Sequence, residues 1–309
     1  MRVAALDLGT NTFLCLIAEI SDTGGARTLK IIQDESRVVR LGEKVHEKRA
    51  FVPAALARAE TCLKEFAAII HKNNVDKVVA TATSAARDAK NGHELIALGK
   101  ALGIPIYIIE GEKEARLSFD GAVSGLAEKD PQALKTKNIL VVDVGGGSTE
   151  MIFSHPGSKL KSTSFDVGCV RLTEMFLKSD PVAPNELAAL DAYAKKTMAP
   201  YGRVEPDVIV AVAGTPTTLA CVDQKIDFNE SKVEGFILTR EKLQELSKEL
   251  GAMPLEKRKT VKGLDPLRAD VIIAGCSLLT AALNCTNKNQ MRVSTRGVRF
   301  GVALHYDEF

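Results

Sequence analysis

No apolar run in the sequence reaches the ~18 residues that a membrane-spanning helix needs. The opening residues, MRVAALDLG, contain too short an apolar stretch, interrupted by Asp7, to act as a secretory signal. The six cysteines form no C-x-x-C pair, and most lie in apolar surroundings such as FLCLI and TLACV. These absences predict a cytoplasmic protein with reduced, buried thiols and no membrane contact.

The sequence also has almost no net charge, +2 from 41 Lys+Arg and 39 Asp+Glu. A domain whose surface follows nucleic acid is usually strongly basic, so nucleic acid is not an expected partner. A polyanionic ligand stays compatible if positive charge is concentrated at one site. No low-complexity segment or Gly/Ser linker occurs, and 309 residues are enough for two domains with their own cores.

The hydrophobic pattern alternates predicted strands and helices in both halves of the chain. In the first half, strands are predicted at 3–9, 12–20, 28–39, 77–83 and 104–110, and helices at 52–74, 91–102 and 112–124. In the second half, strands are predicted at 139–144, 149–154, 160–167 and 207–214, and helices at 169–178, 184–200, from about 215, at 239–250 and at 266–284. The chain closes with a strand, a glycine turn and a helix.

One motif occurs twice, as Asp7-Leu-Gly-Thr-Asn and as Asp143-Val-Gly-Gly-Gly-Ser, each time between two apolar strands. This duplication predicts two α/β lobes with a cleft between them. We expect a first lobe over 1–124 and a second over 125–299, divided near the polar segment 123–138. The last helix, about 300–309, is expected to pack back on the first lobe.

The glycines of both turns are suited to phosphate. Without a Cβ, glycine lets its amide approach an anion closely and can adopt positive φ, and successive amides form an anion-binding nest. A tight hairpin without a ligand is the alternative interpretation. The phosphate contacts predicted from the two turns are Asn11, Gly145, Gly146, Gly147 and Ser148.

A carboxylate beside a phosphate nest repels the ligand unless a cation lies between them. Asp143 and Glu150 lie on the two strands of one predicted hairpin, and such a pair suits a hard divalent ion, by default Mg²⁺. A third loop, AVAGTPTTLA (211–220), follows a strand and opens a helix whose free amides favour anions. Gly214 and Thr215 are its candidate phosphate contacts, and a threonine-capped helix start is the alternative.

Seven stretches resemble one family over nearly the whole chain: AALDLGTNTFLCLIAEI, ATATSAARDAKNG, IIEGEKEARLSFDGA, LVVDVGGGSTEMIF, DVGCVRLTEMF, AVAGTPTTLA and STRGVRFGVAL. The two hairpins and AVAGTPTT resemble the actin, Hsp70 and sugar-kinase superfamily. More narrowly, the chain resembles the exopolyphosphatase/guanosine pentaphosphate phosphohydrolase (Ppx/GppA) family. Its length resembles that of two-domain members, which lack additional C-terminal helical domains.

The resemblance implies an actin-like, ribonuclease H-like fold and hydrolysis of a terminal phosphoanhydride in polyphosphate or in pppGpp, which gives ppGpp. It implies that Glu114, the glutamate before Ala-Arg in EKEAR, is the general base, whereas Glu112 would point elsewhere on the helix. A first-turn glutamate favoured by the helix dipole is the alternative. Arg87 of SAARDA corresponds to an arginine on the phosphate chain, and Asp143 and Glu150 to metal-binding carboxylates.

One motif departs from the family pattern. Members commonly carry Asp-x-Gly-Leu-Arg-x-Gly near the C-terminus, where this chain has Thr295-Arg296-Gly297-Val298-Arg299-Phe300-Gly301. The missing aspartate and Phe300 leave any ligand contact from this turn open.

Two other functions are compatible with the sequence. These are an ATP-dependent kinase of the same superfamily and a non-catalytic regulator that binds ppGpp or polyphosphate. A basic segment, LEKRKTVKGLDPLR (255–268), is a candidate polyphosphate channel or else a solvated loop. The choice between substrates and between monomer and homodimer stays open.

Overall fold

The computed structural model describes residues 1–23, 26–129, 132, 136–202 and 204–309. The chain divides into two units, Met1–Gly121 with Gly297–Phe309, and Ala122–Arg296. Part of the polar segment predicted at the boundary, 130–131 and 133–135, lies outside the described residues.

The first unit contains a five-stranded sheet in the order β3-β2-β1-β4-β5. The strands are β1 (Arg2–Leu8), β2 (Thr12–Thr23), β3 (Ala26–Val38), β4 (Lys77–Ala82) and β5 (Ile106–Ile108). β1, β4 and β5 are parallel, and β2 is antiparallel to both of its neighbours. The loops that follow the three parallel strands therefore leave the same edge of this sheet, where α/β proteins bind ligands.

Helices cover both faces of this sheet because alternate residues of a strand point to opposite sides. Ala4 and Leu6 of β1 belong to the core that includes Leu63 of the second helix, whereas Val3 contacts the core of the C-terminal helix. The helices are α1 (Val45–Lys48), α2 (Pro53–Lys72), α3 (Ser84–Asp88), α4 (Gly92–Ala101), α5 (Gly111–Lys129) and the C-terminal Val298–Leu304, followed by a 3-10 turn at Tyr306–Glu308. Helix α5 continues beyond Gly121 into the second unit.

The second unit contains a six-stranded sheet in the order β10-β11-β9-β6-β7-β8. The strands are β6 (Ile139–Val144), β7 (Thr149–Ser154), β8 (Lys161–Phe165), β9 (Val208–Val212), β10 (Ile237–Thr239) and β11 (Gln290–Val293). β6, β9 and β11 are parallel, so their following loops share one edge, as in the first unit.

The core of the second unit is built around one apolar helix, Ile272–Cys285, in which 11 of the 14 residues are buried. The other helices are α6 (Cys169–Phe176), α7 (Pro184–Met198), α8 (Gly214–Gln224), α9 (Glu230–Val233), α10 (Arg240–Gly251) and α11 (Leu255–Arg258). The apolar helix is α12, and Val298–Leu304 is α13. Short 3-10 turns lie at Ala199–Tyr201 and Pro266–Arg268.

The predicted mixed α/β organisation with a repeated hairpin is confirmed. The helix predicted at 266–284 begins only at Ile272, because Pro266–Arg268 forms a separate 3-10 turn. Helix α5 is longer than the predicted 112–124. The helices α1, α3, α9 and α11 and strand β10 were not predicted, since three to five residues contain too little of a periodic pattern to detect.

All six cysteines are free thiols, and all but Cys285 are buried. Burial is the largest cause that raises the pKa of Cys15 and Cys62 to about 12, so their reactive thiolate forms are scarce near neutral pH. Among the described residues, no helix is long and apolar enough to cross a membrane.

Candidate active site

The two sequence repeats fold into turns with the same hydrogen bond. The amide of Gly9 donates to the carbonyl of Thr12 at 3.1 Å, and the amide of Gly145 donates to the carbonyl of Ser148 at 3.0 Å. A Cβ on Gly9 would lie 3.0 Å from Thr12 O, and one on Gly145 would lie 3.1 Å from Ser148 O. Neither turn contains a glycine with positive φ, so glycine favours the close approach of backbone atoms here and does not serve a left-handed backbone.

A pair of carboxylates flanks the turn of the second unit. Asp143 and Glu150 are direct partners in the antiparallel β6–β7 register, with exposed fractions of 7% and 1%. Directly opposite residues lie on one face of a sheet, with Cβ atoms about 4.5–5.5 Å apart. The hydroxyl of Ser164, the β8 partner of Glu150, donates to Glu150 Oε1 at 2.7 Å. The hairpin thus brings the two predicted metal ligands together.

The Asp143–Glu150 pair fits an open site for a hard cation better than a closed site in which the protein supplies every ligand. Among the described residues, no group of three or more His, Cys, Asp or Glu side chains is placed to hold a metal. Mg²⁺ needs only one or two carboxylates, because it keeps several waters and takes substrate phosphate oxygens. Two adjacent buried carboxylates also repel each other unless positive charge or protons compensate them.

In the turn at 145–148, the carbonyls accept hydrogen bonds, whereas most of the amides donate none to the described residues. The carbonyls of residues 145–147 accept hydrogen bonds from donors of residues 169–171 at 2.9–3.1 Å. Across the described chain, no hydrogen bond takes up the amides of Gly146, Gly147 and Ser148. Successive free amides of this kind form an anion nest.

The turn of the first unit shows the same division. Its Thr10 carbonyl accepts from the amide of Gly42 at 2.8 Å, and the Asn11 carbonyl accepts from the amides of Val39 and Arg40 at 2.9 Å. Asn11 is 7% exposed, and its side-chain Nδ2 has no hydrogen-bond partner among the described residues. A buried donor without a partner is costly, so this amide is a good candidate for a ligand contact.

Glu114 and Arg87 form an ion pair after neighbouring parallel strands of the first unit. Arg87 Nη1 lies 2.6 Å from Glu114 Oε2 and also donates to the carbonyl of Ile109 at 2.8 Å. Glu114 is 7% exposed in the first turn of α5, whereas the alternative Glu112 is exposed. The two residues that the sequence assigned separate roles therefore contact each other.

The third predicted loop opens α8 after β9, the parallel neighbour of β6. A Cβ on Gly214 would lie 1.6 Å from Nη1 of Arg268, so any other residue here would displace this guanidinium. Burial lowers the pKa of Arg268, and the charge of Asp265 opposes this shift. Thr215 is 5% exposed and packs on Gly275, which leaves its backbone amide as the group best suited to a ligand.

The C-terminal turn that departs from the family pattern is held in place by hydrogen bonds to another segment of the chain. Glu234 Oε2 accepts from the amide of Thr295 at 2.6 Å and from its hydroxyl at 2.9 Å. A carboxylate from another segment thus bonds to the position that lacks the motif's aspartate. Phe300 is 1% exposed in the core of the first unit, and Arg299 forms a two-bonded ion pair with Asp34 at 2.6 and 2.8 Å.

The basic segment 255–268 is not uniformly solvated. Arg258 is 3% exposed and donates to the carbonyls of Leu250, Met253 and Ala269 at 2.8–2.9 Å, which assigns it to the core. Lys259 and Lys262 pair with Glu256 and Asp227 at the surface.

Sequence reasoning assigned no role at this site to four residues that shape it, which are Ser164, Gly168, Arg171 and Arg268. It included Arg268 only in the basic segment 255–268. The alternating pattern of strand 160–167 could have placed Ser164 opposite Glu150. The other three act through contacts with backbone atoms, which leave no pattern in one sequence.

Comparisons with known proteins identify the family of this chain. The Ppx/GppA phosphatase family matches residues 16–307. Exopolyphosphatase 2 of Mycobacterium tuberculosis is 33% identical over 318 residues, covering 98% of each chain. The guanosine-5'-triphosphate,3'-diphosphate pyrophosphatase of Photobacterium profundum is 30% identical over 308 residues, which is 97% of this chain and 58% of the relative. The crystal structure of the Aquifex aeolicus Ppx/GppA member has a TM-score of 0.80 at 31% identity, covering 100% of this chain and 98% of that one.

The two-sheet α/β architecture with twin hairpins is that of actin-like proteins. The chain belongs to the Ppx/GppA phosphatase family. The predicted resemblance and fold class are thereby confirmed.

Proposed function

We propose that this protein is a phosphatase that hydrolyses terminal phosphoanhydride bonds of inorganic polyphosphate, of pppGpp, or of both, and releases orthophosphate. The observation that carries the proposal is the buried Asp143–Glu150 pair beside a turn with three free amides. Relatives named exopolyphosphatase and guanosine-5'-triphosphate,3'-diphosphate pyrophosphatase support this substrate class.

Binding of the terminal phosphoryl group is assigned to backbone amides. The amides of Gly146, Gly147 and Ser148 and the Ser148 hydroxyl donate to its oxygens, because a nest of this kind concentrates partial positive charge. Within the second unit, the amides at Gly214 and Thr215 supply further donors, and Arg268 adds a positive charge beside Gly214. Within the first unit, Asn11 Nδ2 is the candidate phosphate donor of its own turn.

Asp143 and Glu150 would hold Mg²⁺, which when bound neutralises phosphate charge next to the carboxylates. Ser164 fixes one oxygen of Glu150 through its hydroxyl. The rest of the catalytic contribution comes from the protein's own groups.

Glu114 acts as the general base in this proposal. Its pairing with Arg87 at 2.6 Å keeps the carboxylate in place as an acceptor. Glu114 orients a water and takes its proton while the water oxygen bonds to the terminal phosphorus. The bridging P–O bond breaks, and the shortened phosphate chain leaves with the bridging oxygen. In this proposal Arg87 also contacts the phosphate chain, a role that the family resemblance implies.

A cytoplasmic location is part of the proposal, because six free thiols fit a reducing compartment. Both substrates are polyanions, so neither nucleic acid nor a membrane is needed as a partner. A monomer or a homodimer is compatible with the proposal.

The test is phosphate release from polyphosphate and from pppGpp, side by side, with and without Mg²⁺. Glu114→Gln is expected to lower kcat by about 10²- to 10⁴-fold, the usual contribution of a general base. Glu112→Gln is the matched control, since this glutamate of the same helix turn is exposed, and it should retain wild-type turnover.

Phosphate release by Glu114→Gln at the wild-type rate would refute the role of Glu114. Tight binding of either ligand without any phosphate release would support a regulator instead. Release that requires both ATP and a second acceptor would support a kinase.

A further inference from the structure

The segment 168–171 binds every carbonyl of the glycine triplet. The Gly145 carbonyl accepts from the amide of Cys169 at 2.9 Å. The Gly146 carbonyl accepts from the amides of Val170 and Arg171 at 2.9 and 3.1 Å. The Gly147 carbonyl differs, because its donor is a side chain, Nε of Arg171, at 2.9 Å.

Binding a carbonyl fixes the direction of the amide in the same peptide group. A trans peptide is planar, and its N–H points opposite to its C=O. The peptide groups with the carbonyls of Gly145, Gly146 and Gly147 carry the amides of Gly146, Gly147 and Ser148, respectively. All three amides are therefore directed away from the segment 168–171.

The three peptide groups are not secured in the same way. Two are held by main-chain donors at the start of α6, which remain whatever side chains are present. The third peptide group lies between Gly147 and Ser148. Within the described part of the chain, Arg171 Nε is the one donor to its carbonyl. We infer that Arg171 is a positioning residue, whose guanidinium orients the Ser148 amide toward the transferring phosphoryl group. This inference rests on the proposed phosphatase function.

The fold of the turn does not depend on Arg171. Gly168 packs against it so closely that a Cβ would lie 2.3 Å from the carbonyl carbon of Gly146. The Thr149 hydroxyl donates to the carbonyl of Val167 at 2.5 Å, which ties the same segment to the strand after the turn. Removing the guanidinium should therefore free one peptide group to rotate and leave the hairpin intact.

The kinetic test compares Arg171→Met, which keeps the length but removes the donor, with Arg171→Lys, which keeps a donor and the charge. Deleting one oxyanion-type donor lowers kcat by about 10²- to 10³-fold. Misorienting one amide should cost less, so we expect kcat of Arg171→Met to fall about 10- to 100-fold, with KM within about threefold of wild type. Arg171→Lys should recover part of this loss.

Arg240→Met is the matched control, because this half-buried arginine of the same unit contacts Asn284 and Asn289 and not the glycine turn. It should behave as wild type. An unchanged kcat in Arg171→Met would overturn the inference. So would a raised KM at constant kcat, which would make Arg171 a direct ligand of the substrate.

An activity-independent measurement uses nuclear magnetic resonance of protein labelled with ¹⁵N-glycine and ¹⁵N-serine, titrated with imidodiphosphate. In the wild type, the amide signals of Gly146, Gly147 and Ser148 should all shift. In Arg171→Met, the Ser148 response should be lost while both glycine responses remain.

An undiminished Ser148 response in the variant, or loss of all three responses, would overturn the positioning role. If the wild type releases no phosphate from either substrate, the proposed function fails. The Ser148 response then still decides the orientation of the amide.

Discussion

The turn at Gly9 and the turn at Gly145 share a hydrogen-bond pattern but differ in what surrounds them. In the second unit, Asp143 lies opposite Glu150, whereas in the first unit Asp7 lies opposite Leu14. The carbonyls of the first turn are bound by the loop segment 39–42, and those of the second by the start of a helix. The repeat thus keeps the same glycine turn in both units and places the carboxylate pair in only one. The first unit contributes the Arg87–Glu114 pair instead.

Among the changes that compare the two repeats, the largest expected effect comes from replacing the aspartate that precedes each turn. Asp143→Asn should lower kcat by about 10²- to 10³-fold, the usual loss when one electrostatic contributor is removed from a reacting centre. It should also raise the Mg²⁺ concentration needed for half-maximal phosphate release. Asp7→Asn is the matched variant and should leave that Mg²⁺ dependence unchanged, because its strand partner is Leu14. Equal Mg²⁺ shifts in both variants would show that the two turns do not differ in this way.

Adding a methyl group to the glycine that packs against each turn should distinguish a contact with backbone atoms from a contact with a side chain. A Cβ on Gly168 would lie 2.3 Å from backbone atoms of Gly146, whereas a Cβ on Gly42 would lie 2.2 Å from the Thr10 Cγ2 methyl group. Overpacking costs about 1–3 kcal/mol, and a backbone cannot rotate away as a side chain can. We expect Gly168→Ala to lower the free energy of unfolding by about 3 kcal/mol and Gly42→Ala to lower it by about 1 kcal/mol. Denaturant unfolding measures both, and the reverse order would contradict this account.

The residue that precedes α8 in the second unit and the residue that precedes α3 in the first unit differ in backbone conformation. Ala213, before α8, has φ 77° and ψ −170°, a backbone region that essentially only glycine favours. Thr83, before α3, has φ −115° and lies outside that region. We expect Ala213→Gly to stabilise the protein by about 1 kcal/mol through strain relief, and Thr83→Gly to destabilise it by a similar amount. Chemical denaturation tests the pair, and destabilisation by Ala213→Gly would show that position 213 carries no strain.

The smallest effect concerns an ion pair of the first unit. Arg27 donates to both carboxylate oxygens of Asp307 at 2.6 and 2.7 Å and lowers the pKa of Asp307 from 3.8 to about 2. A depressed carboxyl pKa stabilises the folded state above the unfolded pKa, and this contribution is lost as pH falls toward 2. The stability difference between wild type and Asp307→Asn should therefore be constant above pH ~5 and shrink by pH ~3. A difference that is the same at both pH values would exclude this linkage.

The sequence predicted much of the framework because its signals are local. Apolar runs that end at Asp-x-Gly predicted both hairpins, and the spacing of Asp143 and Glu150 on two strands of one hairpin predicted their approach. Pro53 correctly indicated a helix start, since it occupies the first position of α2.

Contacts between distant segments could not be predicted in the same way. The bond from Arg171 to the Gly147 carbonyl joins residues 24 apart, and the Glu234 contact to Thr295 joins residues 61 apart. Both involve backbone groups, which every residue has, so the sequence gives no sign of them. The pairing of Arg87 with Glu114 was also missed, although each residue was identified separately. Their roles in catalysis stay predictions.

The most direct test of the central claim is a crystal structure with imidodiphosphate and Mg²⁺. The account predicts phosphate oxygens within hydrogen-bond distance of the amides of Gly146, Gly147 and Ser148, with the cation on Asp143 and Glu150. An imidodiphosphate bound elsewhere in the second unit, with those three amides facing only water, would contradict it.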